Sequence, residues 1–113
     1  MKPLFVYGTL QPGRENEQLL TRIGGEWCPA TVRGTYYAKA WGLAADFPGL
    51  IVDEQGDEVP GYLFYSDALT EHWPELDVFE AGYDRITAIA LSSTGERLEA
   101  WVYQVQPFTS NQG

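Results

Sequence analysis

A chain of 113 residues, 44% apolar and 14% aromatic, is one domain's worth and can close a core without covalent staples, which argues against disorder. Seven Lys and Arg against sixteen Asp and Glu give a formal charge of −9, so phosphate backbones and anionic lipid are poor partners, and neither nucleic acid nor membrane is expected. Lone Cys28 and lone His72 exclude an internal disulfide, leave too few ligands for a structural zinc or iron–sulfur site, and point to a reducing cytoplasm.

Leu4 to Tyr7 is a short apolar run that stops at Gly8. It is far too short for a signal core or a membrane span and predicts a buried strand at the start of a soluble, unprocessed protein. Gln11-Pro12-Gly13 is a turn. Glu15 to Ile23 predicts a helix, with Leu19, Leu20 and Ile23 on one side and Gly24-Gly25 as its stop. Thr31 to Ala38 is β-branched and aromatic and predicts a strand, in which Gly34 marks a bulge or a close backbone approach. Phe47-Pro48-Gly49 turns into a strand from Leu50 to Val52. Asp53 to Asp57 then reads as a polar hairpin loop leading into a strand from Val59 to Tyr65.

Asp67 to Glu80 is the main helical candidate. Pro74 suits a first turn, so the expected helix proper begins near Trp73 after an irregular lead-in. Strands follow at Arg85 to Leu91 and Arg97 to Val105, paired as a hairpin through Ser92 to Gly95. Residues 109–113 read as a frayed tail after a single domain over 1–108. Strands not regularly separated by helices favour a mainly antiparallel α+β domain, and a closed sheet solves its edge problem.

Three features carry chemistry. At 100° per residue, Trp73, Leu76 and Glu80 fall within about 40° of one another on a helix. A carboxylate on an apolar stripe has its charged form disfavoured and its pKa raised, which suits a proton shuttle near neutral pH. The alternative is a glutamate at the helix end, free to swing into solvent. Tyr7-Gly8-Thr9-Leu10 leaves the first strand at a glycine, where successive N–H groups can converge on an anion, or where the chain simply exits. Tyr83 can donate to a substrate or to Glu80, or serve only as structure, and Arg85 can pair with an acid across the sheet. Asp77, about 60° from Glu80 on the same count, suits a local hydrogen bond.

Other chemistries lack their parts. Ser66, Ser92 and Ser93 have no nucleophile-elbow context and His72 has no obvious partner for a serine triad, while Cys28 reads as a packed thiol. No glycine-rich phosphate loop occurs. The tryptophans and tyrosines are scattered through strands and read as core.

The order of these blocks resembles the gamma-glutamylcyclotransferase family over about a hundred residues. Phe5-Val6-Tyr7-Gly8-Thr9-Leu10 is similar to its opening strand and substrate loop, and Val32-Arg33-Gly34-Thr35-Tyr36 and Phe47-Pro48-Gly49-Leu50 to the strand and turn that follow. Val59 to Phe64 resembles the strand before the catalytic helix. Leu76-Asp77-Val78-Phe79-Glu80 with Tyr83-Asp84-Arg85 resembles the stretch bearing the catalytic glutamate, and Ala100-Trp101-Val102-Tyr103 the closing strand.

The resemblance implies an α+β fold, a small mixed and mostly antiparallel β-barrel with two helices and an active site at its mouth. It implies cleavage of a gamma-glutamyl amide or peptide by internal attack, releasing 5-oxoproline and a free amine, with no metal or cofactor. Carried over, Glu80 is the proton acceptor, Tyr7, Gly8, Thr9 and Leu10 bind the glutamyl group largely through backbone amides, and Tyr83 joins them. Among subgroups, the opening and the short length look most like gamma-glutamylamine cyclotransferases and AIG2-like bacterial relatives. The family usually places a glycine directly after the glutamate; here Ala81 stands there and Gly82 follows, in a stretch about one residue shorter. A non-catalytic binding module for a small acidic metabolite, and a cyclotransferase that deprotects a biosynthetic intermediate, are the competing functions. The sequence leaves the leaving amine and the oligomeric state open.

Overall fold

A computed structural model describes residues 2–107; the tail expected at 109–113 lies outside them. In chain order the elements are β1 (Leu4–Val6), α1 (Gln18–Thr21), β2 (Glu26–Tyr37), a 3-10 turn (Gly42–Ala44), β3 (Gly49–Val52), β4 (Asp57–Tyr65), α2 (Leu69–Phe79), β5 (Tyr83–Ser92) and β6 (Arg97–Val105). The six strands run β3-β2-β4-β1-β6-β5, and an additional β2–β5 pairing closes five of them into a ring. Only β1 and β6 are parallel; the other pairs are antiparallel. The fold is therefore the expected α+β type, a mixed and mostly antiparallel β-barrel with two helices.

β1 explains why its sequence is apolar at every position. Phe5 and Tyr7 join Leu63, Val102 and small alanines from the other strands in the barrel interior. Leu4 and Val6, pointing the opposite way, pack with Leu20 of α1 and with Leu69 and Leu76 of α2. A strand covered on both faces has no room for polar alternation. Ala30, Ala88, Ala90 and Ala100 keep the bore of the ring filled without overpacking it.

Four local expectations are corrected. The helix expected over Glu15 to Ile23 is only Gln18–Thr21, because Asn16 spends its backbone and side-chain donors on Thr9 instead of opening a helix. α2 begins at Leu69 rather than near Trp73, with Pro74 in its interior. Buried Leu69 and Leu76 anchor it on either side of the proline, which outweighs the missing N–H and the ring's crowding of the preceding turn. β2 starts at Glu26, five residues before the expected Thr31; Pro29 is accommodated because β5 joins that strand only from Ala30 onward.

The expected hairpin between the third and fourth strands does not exist. β3 and β4 lie on opposite sides of β2, and both pair with Gly34, so residues 53–56 cross β2 at Gly34. A Cβ on Gly56 would lie 2.9 Å from the Gly34 Cα, and one on Gly34 would lie 2.3 Å from the Ile51 carbonyl oxygen, so the crossing needs glycine at both positions. Gly34 is thus a close backbone approach, one of the two expectations for it. Among the described residues no helix is long and apolar enough to cross a membrane.

Candidate active site at the barrel mouth

Parallel pairing of β1 with β6 brings the C-terminal ends of both strands to one end of the barrel, and β5 starts there, with Tyr83 opposite Val105. A cavity of about 340 Å³ opens at this end. The six expected site residues line it, Tyr7, Gly8, Thr9, Leu10, Glu80 and Tyr83, while Asp77 and Arg85 do not.

Glu80 is not within the helix but caps its C-terminus, at φ −94° and ψ 36°. Its N–H still donates to the Leu76 carbonyl at 2.9 Å, and its carbonyl accepts from the Tyr83 N–H at 3.0 Å, so both sides of its backbone are held. The end-of-helix placement is that of the solvent alternative, yet the side chain lies half-buried against the cavity wall. Burial pushes its carboxyl from 4.5 up to about 7. A group so poised exchanges a proton readily at neutral pH.

The turn after Glu80 depends on Gly82, which stands at φ +96°. A Cβ there would also meet the Leu43 Cβ and the Ala44 nitrogen at 2.9 Å. Gly82 therefore serves twice, as a left-handed turn residue and as the seat of the strap that carries the 3-10 turn. The departure at Ala81-Gly82 has a physical sense: here the glycine is required one position later.

The loop after β1 is tied down by its carbonyls. The Gly8 carbonyl accepts from the Gln11 N–H at 3.2 Å and from the Gln11 side chain at 3.1 Å, and the Thr9 carbonyl accepts from the Asn16 N–H at 2.9 Å. In a trans peptide the next N–H points opposite to the carbonyl. The Thr9 and Leu10 N–H groups therefore face away from those contacts, and among the described residues neither they nor Gly8 N–H donates to a protein acceptor. Leu10 is buried in the same cluster as Leu20.

Three tyrosines complete the wall. The Tyr7 hydroxyl donates to the Tyr103 carbonyl at 2.6 Å. Tyr83 donates to the Pro48 carbonyl in a short hydrogen bond, not to Glu80. Burial above all holds Tyr7 far above the ordinary phenol range, with Tyr83 and Glu80 adding to it. Burial and then the nearby Glu80 push Tyr83 up to about 12. All three stay neutral near pH 7, with Tyr103 raised by burial and by its hydrogen bond to Asp77.

Asp77 makes the local hydrogen bonds expected of it. Its carboxylate accepts from Arg85 at 3.0 and 3.3 Å and from the Tyr103 hydroxyl at 2.7 Å. The Arg85 bond holds its carboxyl below the usual range. Arg85 itself lies over the rings of Trp73 and Trp101, 4.2 and 4.9 Å from their centroids, which locks the last turns of α2 to β5 and β6. Sequence reasoning missed Tyr103, Asn16 and the strap residues Leu43, Phe47 and Pro48, all of which line the cavity. Tyr103, read as core, is core and cavity wall at once.

Comparison with known proteins agrees with this fold. The family model of gamma-glutamyl cyclotransferase, AIG2-like proteins matches residues 4–113, and the chain belongs to that family. No curated protein matches the chain. Among solved structures, YkqA of Bacillus subtilis is 27% identical with a TM-score of 0.71; the match covers 92% of this chain and 35% of that one, so the chain spans about a third of its length. An AIG2-like protein of Mus musculus, 22% identical with a TM-score of 0.67 over 97% of this chain and 80% of its own, shares the fold. So does a gamma-glutamyl cyclotransferase at 15% identity and a TM-score of 0.63, covering 93% of this chain and 66% of that one.

Proposed function

We propose that this member of the family cleaves gamma-glutamyl amides by internal cyclisation, with Glu80 as the proton carrier. The substrate's α-ammonium gives one proton to the Glu80 carboxylate. The freed amine then attacks the side-chain carbonyl carbon, a C–N bond forms, and the negative charge passes to the oxygen. Collapse of that intermediate expels the original amide nitrogen as its bond to carbon breaks, and Glu80 returns a proton to it. The attacking nitrogen gives up its second proton as the lactam forms, that proton ends on the released amine, and the products are 5-oxoproline and a protonated amine.

The observation that carries this reading is a half-buried carboxyl, with its pKa raised to about 7, sharing one cavity with a loop whose Gly8, Thr9 and Leu10 N–H groups donate to no protein acceptor among the described residues. Those amides suit the α-carboxylate of a glutamyl group or the developing oxyanion. Internal attack needs no protein nucleophile, and holding the substrate folded supplies much of the rate. Tyr83, tethered to Pro48, lines the glutamyl pocket as a neutral wall. The composition, with its single cysteine, suits a cytoplasmic enzyme.

A panel of gamma-glutamyl amines and dipeptides, assayed for 5-oxoproline, tests the reaction class. Release from at least one member is expected. Binding of panel members without release of 5-oxoproline from any would replace the enzyme with a metabolite-binding module.

A further inference from the structure

We propose that the leaving amine carries an apolar substituent, alkyl or aryl and without a carboxylate, seated between Leu43 and Phe47 of the strap and Phe79 of α2. The inference rests on the cyclotransferase reading and adds to it the class of amine released.

Position comes first. To protonate the departing nitrogen, Glu80 must stand beside it, so the amine's substituent leaves the site past the immediate neighbours of Glu80. Phe79 precedes Glu80 in the chain, and Leu43 rests on Gly82 just after it. Both line the cavity, as does Phe47. These three side chains are also strongly exposed, at 43%, 77% and 50%, and make up half of the large apolar residues that the described surface leaves open. Exposed apolar groups that line one cavity mark a seat for an apolar group.

Charge points the same way. Among the described residues no Lys, Arg or His lines the cavity, and Glu80 is its one carboxylate. An amino acid as leaving group would bring a second carboxylate beside Glu80 in a protein of formal charge −9, with no counter-charge in the cavity to meet it. Arg14 belongs to a separate groove that meets the cavity at Tyr7, on the side of Gln11 rather than of Phe79. An amine with a carboxylate would have to turn back over Tyr7 to reach it.

The test is a graded series: gamma-glutamyl methylamide, butylamide and hexylamide, with gamma-glutamylalanine as the carboxylated comparison. kcat/KM is measured on the wild type, and Kd for the same compounds on Glu80→Gln by intrinsic fluorescence. Burial of each methylene predicts a gain of about fourfold in kcat/KM, with Kd falling in step. Leu43→Asn combined with Phe79→Ser should flatten that slope, read as the ratio of hexylamide to methylamide. Should nothing turn over while Kd still falls with chain length, the seat stands and the cyclotransferase reading fails. Rates and Kd independent of length, a slope untouched by the double variant, or a preference for gamma-glutamylalanine each overturn the proposal.

Discussion

The Tyr7 hydroxyl donates to the Tyr103 carbonyl at 2.6 Å, joining residues 96 positions apart in the chain. It ties the end of β1, where the amide-bearing loop begins, to β6, whose Tyr103 hydroxyl holds Asp77 one helical turn before Glu80. The two halves of the candidate site are thus connected through Tyr7 and Tyr103.

Tyr7→Phe removes that bond from a buried setting. We expect a loss of about 1–2 kcal/mol in stability, read by urea unfolding. Activity should fall further than stability accounts for, because the loop and the Glu80 helix lose their link. A variant with wild-type kcat/KM would show that the link is structural only.

Arg85→Leu and Asp77→Asn break the clamp at the end of α2. Both groups are partly exposed, so the stability change should be small. The expected effect is on kcat, through a less fixed Glu80, with the KM for the glutamyl group little changed. Steady-state kinetics on the two variants check it.

Gly82→Ala forces a side chain into φ +96° and against the strap. A cost of about 1–3 kcal/mol is expected. The same change should lower activity, since the strap and Glu80 shift together. Placing alanine at the open turn of Gly95, φ +91°, keeps the backbone penalty while leaving the site alone.

Stability should depend on pH through Glu80. Its folded pKa, about 7, lies above the ordinary 4.5, so the folded state holds the proton more tightly than the unfolded chain. Its full contribution to stability is present below pH 4.5 and is lost as pH rises through 7. Glu80→Gln should therefore raise Tm at pH 8, by a free energy of at most about 3 kcal/mol, and the difference should vanish near pH 4. Thermal melts of both proteins across that range decide it.

Short blocks made much of this molecule legible. The β1 run, the glycine at its end and the position of Glu80 are local patterns, and all six residues picked from them share one cavity. What escaped depends on contacts distant in sequence. Tyr103 joins the site only because β1 and β6 pair in parallel, which no hydrophobic period reveals. The strap carrying Leu43 and Phe47 has no regular pattern and is placed by the fit of its backbone over Gly82. The truncated α1 reflects Asn16 being drawn to Thr9, and the lost hairpin reflects a crossing that two glycines permit. Helix propensity could anticipate neither.

The most direct test of the central claim is 5-oxoproline release by wild type and Glu80→Gln on the best panel substrate, followed from pH 5 to 9. Wild-type kcat/KM should rise through a limb near pH 7, as Glu80 becomes a carboxylate, and the folded variant should be slower by at least about a hundredfold with that limb gone. A variant that retains wild-type rates and the same limb would contradict it and move the proton transfer to another group.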